Sequence, residues 1–374
     1  MEPTRRELLA CARGAAAVAL VPEIAFAASK FARPKRNVPY GAAVSLVDLK
    51  ADPRLGRTIS DTCSLIVPVS ELKWSDLRPA PDQFAFDKAD EIAAFAKQND
   101  LAMRGHTLVW YAAMPDWTKS IDSEKAAERA LTEHIQTVVS RYRGFIISWD
   151  VVNEAIPDVV YRPTDRRPSL WSTFLGNRYI PLAFRIAAAV DPAAQLVLNE
   201  YDVEFGDEYF PAKRAALRNL VHELLDADVP LNAVGLQCHL RGAKPIDRDG
   251  LEAFVTELHT LGLKVLVTEL DIMDQDLPAP VPERDEIIAA QVGALLAAVT
   301  APGKLDALLT WGISDRYSWI PNVFPRRDGL PNRPLPLDAD FKPKPFMAMI
   351  DRFTGSDHGV ATEPHSSAPS DPTR

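Results

Sequence analysis

The chain has 374 residues, with 42 Lys and Arg against 51 Asp and Glu, a net charge of −9 and no basic block anywhere. Nucleic acid and anionic membrane both need clustered Lys and Arg, so this charge pattern argues against either as the main partner. Hydrophobic residues at 47% and charged residues at 25% are the balance of a soluble globular protein with enough apolar material for a large core, in one large domain or two ordinary ones.

The first stretch reads MEPTRRELLACARGAAAVALVPEIAFAA. Arg5 and Arg6 precede an Ala-rich apolar run from Ala15 to Val21, and Ala25-Phe26-Ala27 offers a small-x-small cleavage site. Residues 1–28 therefore have the layout of an export signal. The arginine pair resembles a twin-arginine signal, with a Sec signal or an N-terminal helix as alternatives. The protein is expected to be exported, periplasmic or secreted, and no later run is apolar for long enough to span a bilayer. Cys63 and Cys238 lie in apolar, strand-like runs and read as buried free thiols rather than a disulfide.

From there short apolar runs recur. Strands are expected near 38–44, 63–69, 101–106, 145–152, 196–199, 232–239, 264–269 and 307–313. Between most of them lie segments with helical apolar spacing, such as ADEIAAFAKQN, SEKAAERALTEHIQTVVSRY and DGLEAFVTELHTLG. Continuous apolar strands alternating with helices imply a parallel sheet covered by helices. Eight such units predict an α/β fold, a (β/α)₈ TIM barrel in one catalytic domain over 29–355. The alternative is an open doubly wound sheet, but no Gly-rich phosphate loop follows an early strand. The final segment, 356–374, is rich in Pro, Ser and charge and is expected to be disordered.

Polar residues collect where the strands end: His106, Asn153-Glu154, Asn199-Glu200, Gln237 and His239, Glu269, and Trp311. In a barrel those ends share one face, where active sites are built. Glu154 ends the fourth strand and Glu269 the seventh, so the two would face each other across the barrel mouth. Each alone reads more naturally as a helix cap or a surface ion-pair partner. Together they are the equipment for cutting a glycosidic bond, one carboxyl giving a proton to the leaving oxygen and the other attacking as the anion. Like charges in proximity push their pKa values apart, which would supply that division of labour. His106 and His239 lie on different strands with no Glu-x-x-His or paired-Cys spacing, so neither a metal nor another cofactor is expected.

Seven words carry a specific resemblance: ELKW (71–74), RGHTLVW (104–110), WDVVNEA (149–155), GLQ-x-H (235–239), TELDI (268–272), WGISDRYSW (311–319) and FKPKP (341–345). In this order, from about Val38 to Thr354, the sequence resembles glycoside hydrolase family 10, whose best-known members are endo-1,4-β-xylanases. The resemblance implies a (β/α)₈ barrel and a retaining mechanism through a covalent glycosyl-enzyme. It implies Glu154 as general acid/base, Glu269 as nucleophile and Asn153 as the amide that bonds the sugar 2-hydroxyl. It also implies His239 as the residue that orients the nucleophile, with Asp271 placed to fix that histidine's tautomer. Gln237 lies two residues before His239, on the same strand face. Trp311 and Trp319 match aromatic walls around the sugar, whose flat apolar faces suit that role. Lys73, His106 and Trp110 match residues lining the same subsite, and Tyr201 is a candidate for the leaving-group side.

Departures from the family pattern cluster. Val69-Ser70 stands where Glu-Asn is usual, Tyr111 where His is usual and Ala113 where Gln is usual; strand five reads Asn199-Glu200-Tyr201 rather than Asn-Asp-Tyr. The Glu-Asn and Gln positions normally hold sugar hydroxyls on the glycone side of the cut. Val69 and Ala113 cannot read hydroxyls with their side chains, so a shift away from plain xylan is expected. The expected activity is retaining hydrolysis of β-1,4-xylosidic, xylan-like linkages in a polysaccharide or oligosaccharide, by a monomer. A transglycosylase, a hydrolase of another β-linked glycan and a non-catalytic glycan-binding barrel are the alternatives.

Overall fold

The computed structural model describes residues 33–207 and 209–355; the expected leader over 1–28 and the expected tail over 356–374 lie outside them. The strands are β1 (Tyr40–Val44), β2 (Leu65–Pro68), β3 (Ala102–Val109), β4 (Ile146–Asn153), β5 (Gln195–Glu200), β6 (Ala233–Leu236), β7 (His239–Arg241), β8 (Lys264–Met273) and β9 (Ala307–Thr310). All pair in parallel in the order β1-β2-β3-β4-β5-β6-β8-β9, and β9 returns to β1 with Tyr40 opposite Leu308, closing an eight-membered ring. Helices connect the strands and cover the outside, as a (β/α)₈ barrel requires.

Local chemistry explains the elements. The helix Glu124–Arg141 opens on Ser123, whose hydroxyl accepts the Ala126 N–H. It buries Ala127, Ala130, Leu131, His134, Ile135, Val138 and Val139, a stripe at helical spacing that packs on the sheet. The last helix, Pro345–Thr354, starts on a proline and stops at Gly355, whose φ of 69° is the left-handed conformation that ends helices.

Two cores result. The larger fills the space between strands and helices. The smaller is the barrel interior, built from Ala43, Leu65, Val67, Val197, Ala233, Leu266, Ala307 and Leu309. On the β3–β4 side the interior is polar instead. Arg104 there donates to Asp150 at 2.6 Å and to Ser148 at 2.8 Å, all three buried. Arg104 thus finds partners on the neighbouring strand for Nε and Nη2, which offsets part of the cost of so deep an ion pair.

Four expected strands need correction; the seventh, expected over 264–269, runs on to Met273. The third runs on to Val109, where the Thr107 hydroxyl bonds the Asp150 carbonyl at 2.7 Å. The last stops at Thr310, leaving Trp311 just beyond it. The sixth, expected unbroken over 232–239, leaves the ladder after Leu236 and resumes as β7, pairing His239 with Asp271. Cys238 sits at the break with φ of 62°. Its buried apolar side chain keeps the sequence looking like one strand while the backbone turns. Cys63 and Cys238 are both buried free thiols.

Candidate active site

At the C-terminal rim of the barrel lies a cavity of about 410 Å³, lined among others by Lys73, His106, Trp110, Tyr111, Glu154 and Glu269. A wider hollow of about 720 Å³ over the helix Glu124–Arg141 is lined by surface charges such as Glu124 and Arg129. Of these two, the rim cavity alone has buried polar groups converging on it.

β4 ends on Asn153, and Glu154 follows it with φ of 58°. That left-handed backbone is uncommon for a residue with a side chain and costs roughly 1–3 kcal/mol. It lifts the carboxylate out of the strand direction into the cavity. Glu154 Oε1 accepts from Asn153 Nδ2 at 3.0 Å and from Gln237 Nε2 at 3.1 Å. Asn199 at the end of β5 joins the two carboxylates: its Nδ2 lies 2.7 Å from Glu269 Oε1 and 2.8 Å from Asn153 Oδ1. The Thr268 hydroxyl fixes that amide by donating to Asn199 Oδ1 at 2.7 Å. Gly235 makes room for it, since a Cβ there would fall 2.3 Å from Asn199 Oδ1.

Glu269 lies within β8, 4% exposed. Its Oε2 faces His239 Nε2 at 3.2 Å, and His239 Nδ1 lies 2.7 Å from Asp271 Oδ1. The second Asp271 oxygen accepts the Trp319 indole N–H at 2.7 Å. Burial would push the Glu269 carboxyl up, but His106, the His239 hydrogen bond and charge, and Lys73 together hold it down at about 2. Burial opposes protonation of His239, yet Asp271 and Glu269 on its two nitrogens outweigh it and raise the ring well above its ordinary value. The carboxylates at both of its nitrogens thus favour the protonated ring. Asp271 stands at His239 Nδ1, where its carboxylate fixes the ring's orientation.

The other expected residues converge on the same cavity. His106 Nδ1 lies 3.0 Å from Asp150 Oδ2, on top of the Arg104 pair. Lys73 Nζ sits 4.8 Å from the Trp110 ring centroid and 5.8 Å from that of Trp311. Burial pulls its ammonium below the usual range, against Glu269 and Glu154. Trp311 stands edge-on to His106, and Trp319 edge-on to His239. Tyr201 lines the cavity, and its hydroxyl bonds Asp158 and Arg167.

Sequence reasoning passed over Asp202, Arg241, Met273 and Phe324, which line the cavity beyond Tyr201. Arg241 was within reach, since it repeats the two-residue spacing of Gln237 and His239. Asp150 also left a signal: Ser148 and Asp150 alternate through FIISWDVV and mark a polar inner face. Thr268 left none, because its role depends on a partner across the barrel.

Residues 29–352 match the family model described as Glycosyl hydrolase family 10. Endo-1,4-beta-xylanase C of Phanerodontia chrysosporium is 34% identical over 284 residues, covering 75% of this chain and 67% of that one. Endo-1,4-beta-xylanase B of Paenibacillus barcinonensis is 33% identical over 81% of this chain and 92% of its own length. Xylanase 10B of Thermotoga petrophila, solved in complex with xylobiose, superposes with a TM-score of 0.76 at 28% identity, covering 85% of this chain and 94% of that one. The chain belongs to glycosyl hydrolase family 10 and is a glycoside hydrolase of the xylanase-like kind.

Proposed function

We propose that the protein cleaves β-1,4-xylosidic, xylan-like linkages with retention of configuration, by two displacements at the anomeric carbon. In the first, Glu269 attacks that carbon and the bond to the leaving oxygen breaks, while Glu154 gives its proton to that oxygen. In the second, Glu154 takes a proton from water, the water oxygen bonds the anomeric carbon, and the ester to Glu269 breaks. The observation that carries this reading is the linked pair of carboxylates. Glu269 is held ionised among His239, Asn199 and Lys73, and Glu154 is aimed into the same cavity by Asn153 and Gln237. Trp110, Trp311 and Trp319 offer faces for a pyranose ring.

The substrate is shifted from plain xylan. Val69 packs with Trp311 against the apolar barrel interior. Ala113 offers only its carbonyl, which already accepts the Ser75 N–H at 2.9 Å. The neighbouring Glu71 does not replace the missing readers: its oxygens accept the Leu46 and Ser70 N–H groups at 2.8 and 3.1 Å. A decorated xylo-oligosaccharide or a related β-linked glycan fits such a wall better than a bare chain whose hydroxyls would be left unpaired. Export by the twin-arginine route and action as a monomer complete the proposal.

The test is turnover of beechwood xylan and a panel of aryl β-glycosides by the protein and by Glu269→Ala. Aryl xyloside or xylobioside cleavage that Glu269→Ala abolishes is expected, with weak xylan activity beside it. No cleavage of any β-xyloside, with the variant indistinguishable, would overturn the reading.

A further inference from the structure

The loop after β4 is tied down by one buried side chain. Arg167 is 8% exposed and approaches the acid/base position from the far side of the loop. Its Nε donates to the Glu154 carbonyl at 3.0 Å. Its Nη2 reaches the Ile156 carbonyl, the Asp158 carboxylate and the Tyr201 hydroxyl, each at 2.8 Å, and its own N–H donates to the Ala155 carbonyl at 2.7 Å. The guanidinium also faces two rings, Tyr111 at 4.6 Å and Tyr201 at 5.6 Å from their centroids. On the other side, Glu200 Oε2 accepts the Ile156 N–H at 2.9 Å. The Glu154 N–H is held by the Asn199 carbonyl at 2.9 Å.

These contacts answer a physical question that the strand alone leaves open. Glu154 has a left-handed backbone and follows the last strand residue, so the ladder does not hold its carbonyl. Such a conformation persists only where surrounding contacts over-determine it. A planar guanidinium can bind several acceptors at fixed angles, which a lysine ammonium cannot reproduce. Resting on the assignment of Glu154 as acid/base, we infer that Arg167 is a positioning residue that sets the aim of Glu154 at the leaving oxygen, with Tyr111 and Tyr201 holding its plane. It touches no substrate and carries no proton in the reaction. Tyr111 also lies beside the Glu154 carboxylate, and burial together with that charge pushes its phenol up, so it stays a neutral ring on the guanidinium.

A general acid contributes roughly 10²–10⁴-fold, and only where the leaving oxygen needs its proton. A misplacement of about 1 Å can lose about 10²-fold. The experiment compares kcat/KM for phenyl and 2,4-dinitrophenyl β-xylosides in the full-length protein, Arg167→Lys, Asp158→Asn and Glu154→Ala. Asp158 is 59% exposed and frees one edge of the guanidinium without opening the core, so this variant folds even where Arg167→Lys does not. Arg167→Lys is expected to lose about 10²-fold on the phenyl substrate and under about 3-fold on the dinitrophenyl one. Asp158→Asn is expected to show the same split in smaller degree. Azide should restore kcat of Arg167→Lys on the dinitrophenyl substrate. It attacks the anomeric carbon of the glycosyl-enzyme, displaces Glu269 and gives a glycosyl azide without needing a base. Equal loss on both leaving groups, or no loss on either, would overturn the inference. If Glu154→Ala itself shows no such split, the acid/base assignment fails instead.

Discussion

The floor of the cleft and its glycone wall are built on opposite principles. On the floor, Asn153, Asn199, Gln237, His239 and Asp271 each bond a neighbour, and the chain of contacts runs unbroken from Glu154 to Asp271. On the wall, Val69 and Ala113 present no side-chain donor or acceptor, and Glu71 is fully occupied by backbone amides. A buried polar network loses stability when any member is left unpaired, so the floor resists piecemeal change. Val69, Ser70 and Ala113 are only partly buried at the rim, so their side chains can be exchanged with less disturbance to the barrel. The difference teaches that in this fold the groups placed for bond-breaking and the groups placed for choosing the sugar sit on separate parts of the cleft.

The comparison breaks most sharply at the nucleophile. Glu269→Ala is expected to lower kcat/KM by at least about 10⁴-fold on every substrate the protein turns over, measured with aryl glycosides. Glu154→Ala should lose about 10²–10⁴-fold on poor leaving groups and far less on dinitrophenyl glycosides, read as a leaving-group series. If the two variants gave the same pattern, the division of labour between the carboxylates would be wrong.

Next in size is the charge around Glu269. Burial pushes this carboxyl up, and His106, His239 and Lys73 bring it down to about 2 from an ordinary 4.5. The folded protein thus binds the proton less tightly than the unfolded chain. The stability this gives is fully present above the ordinary value and is lost as pH falls through about 2. His239→Ala leaves burial less opposed. The acid limb of kcat/KM and the onset of acid unfolding should both move to higher pH, followed by a pH–rate profile and by circular dichroism. An unmoved acid limb would mean that His239 does not hold the charge of Glu269.

The wall gives the smallest effect and the most informative one. Val69→Glu, Ser70→Asn and Ala113→Gln together restore the groups that read hydroxyls. With about 0.5–1.5 kcal/mol for each hydrogen bond regained, xylan turnover should rise by about 10-fold or more. No gain would contradict the argument that these positions shift the substrate.

Much of the floor could be read from the sequence because its residues follow strand rules. Asn153-Glu154 and Glu269 each close an apolar run, and Gln237, His239 and Arg241 repeat at the spacing that puts side chains on one face. All eight barrel strands announce themselves as apolar runs between helical patterns. What could not be read is what depends on partners distant in sequence. The break at Cys238 is hidden because the residue is apolar and buried on either path. The Asn199 bridge between the carboxylates needs Gly235 to leave space for it. The raised proton affinity of His239 needs two carboxylates brought to its two nitrogens, 30 and 32 residues further along the chain. Arg167 lies in an irregular segment with no periodicity, so its grip on the Glu154 carbonyl has no sequence signal at all.

The covalent intermediate is the most direct test of the chemistry on the floor. The protein is incubated with 2,4-dinitrophenyl 2-deoxy-2-fluoro-β-xyloside and the corresponding xylobioside. The fluorine slows both displacements, and the reactive leaving group lets the first proceed. Peptide mass spectrometry then locates the sugar. One fluoroglycosyl ester per chain, on Glu269, is the expected result. A protein that turns over aryl β-xylosides but carries no adduct, or carries it on another residue, would contradict the assignment of Glu269 as nucleophile and the retaining mechanism with it.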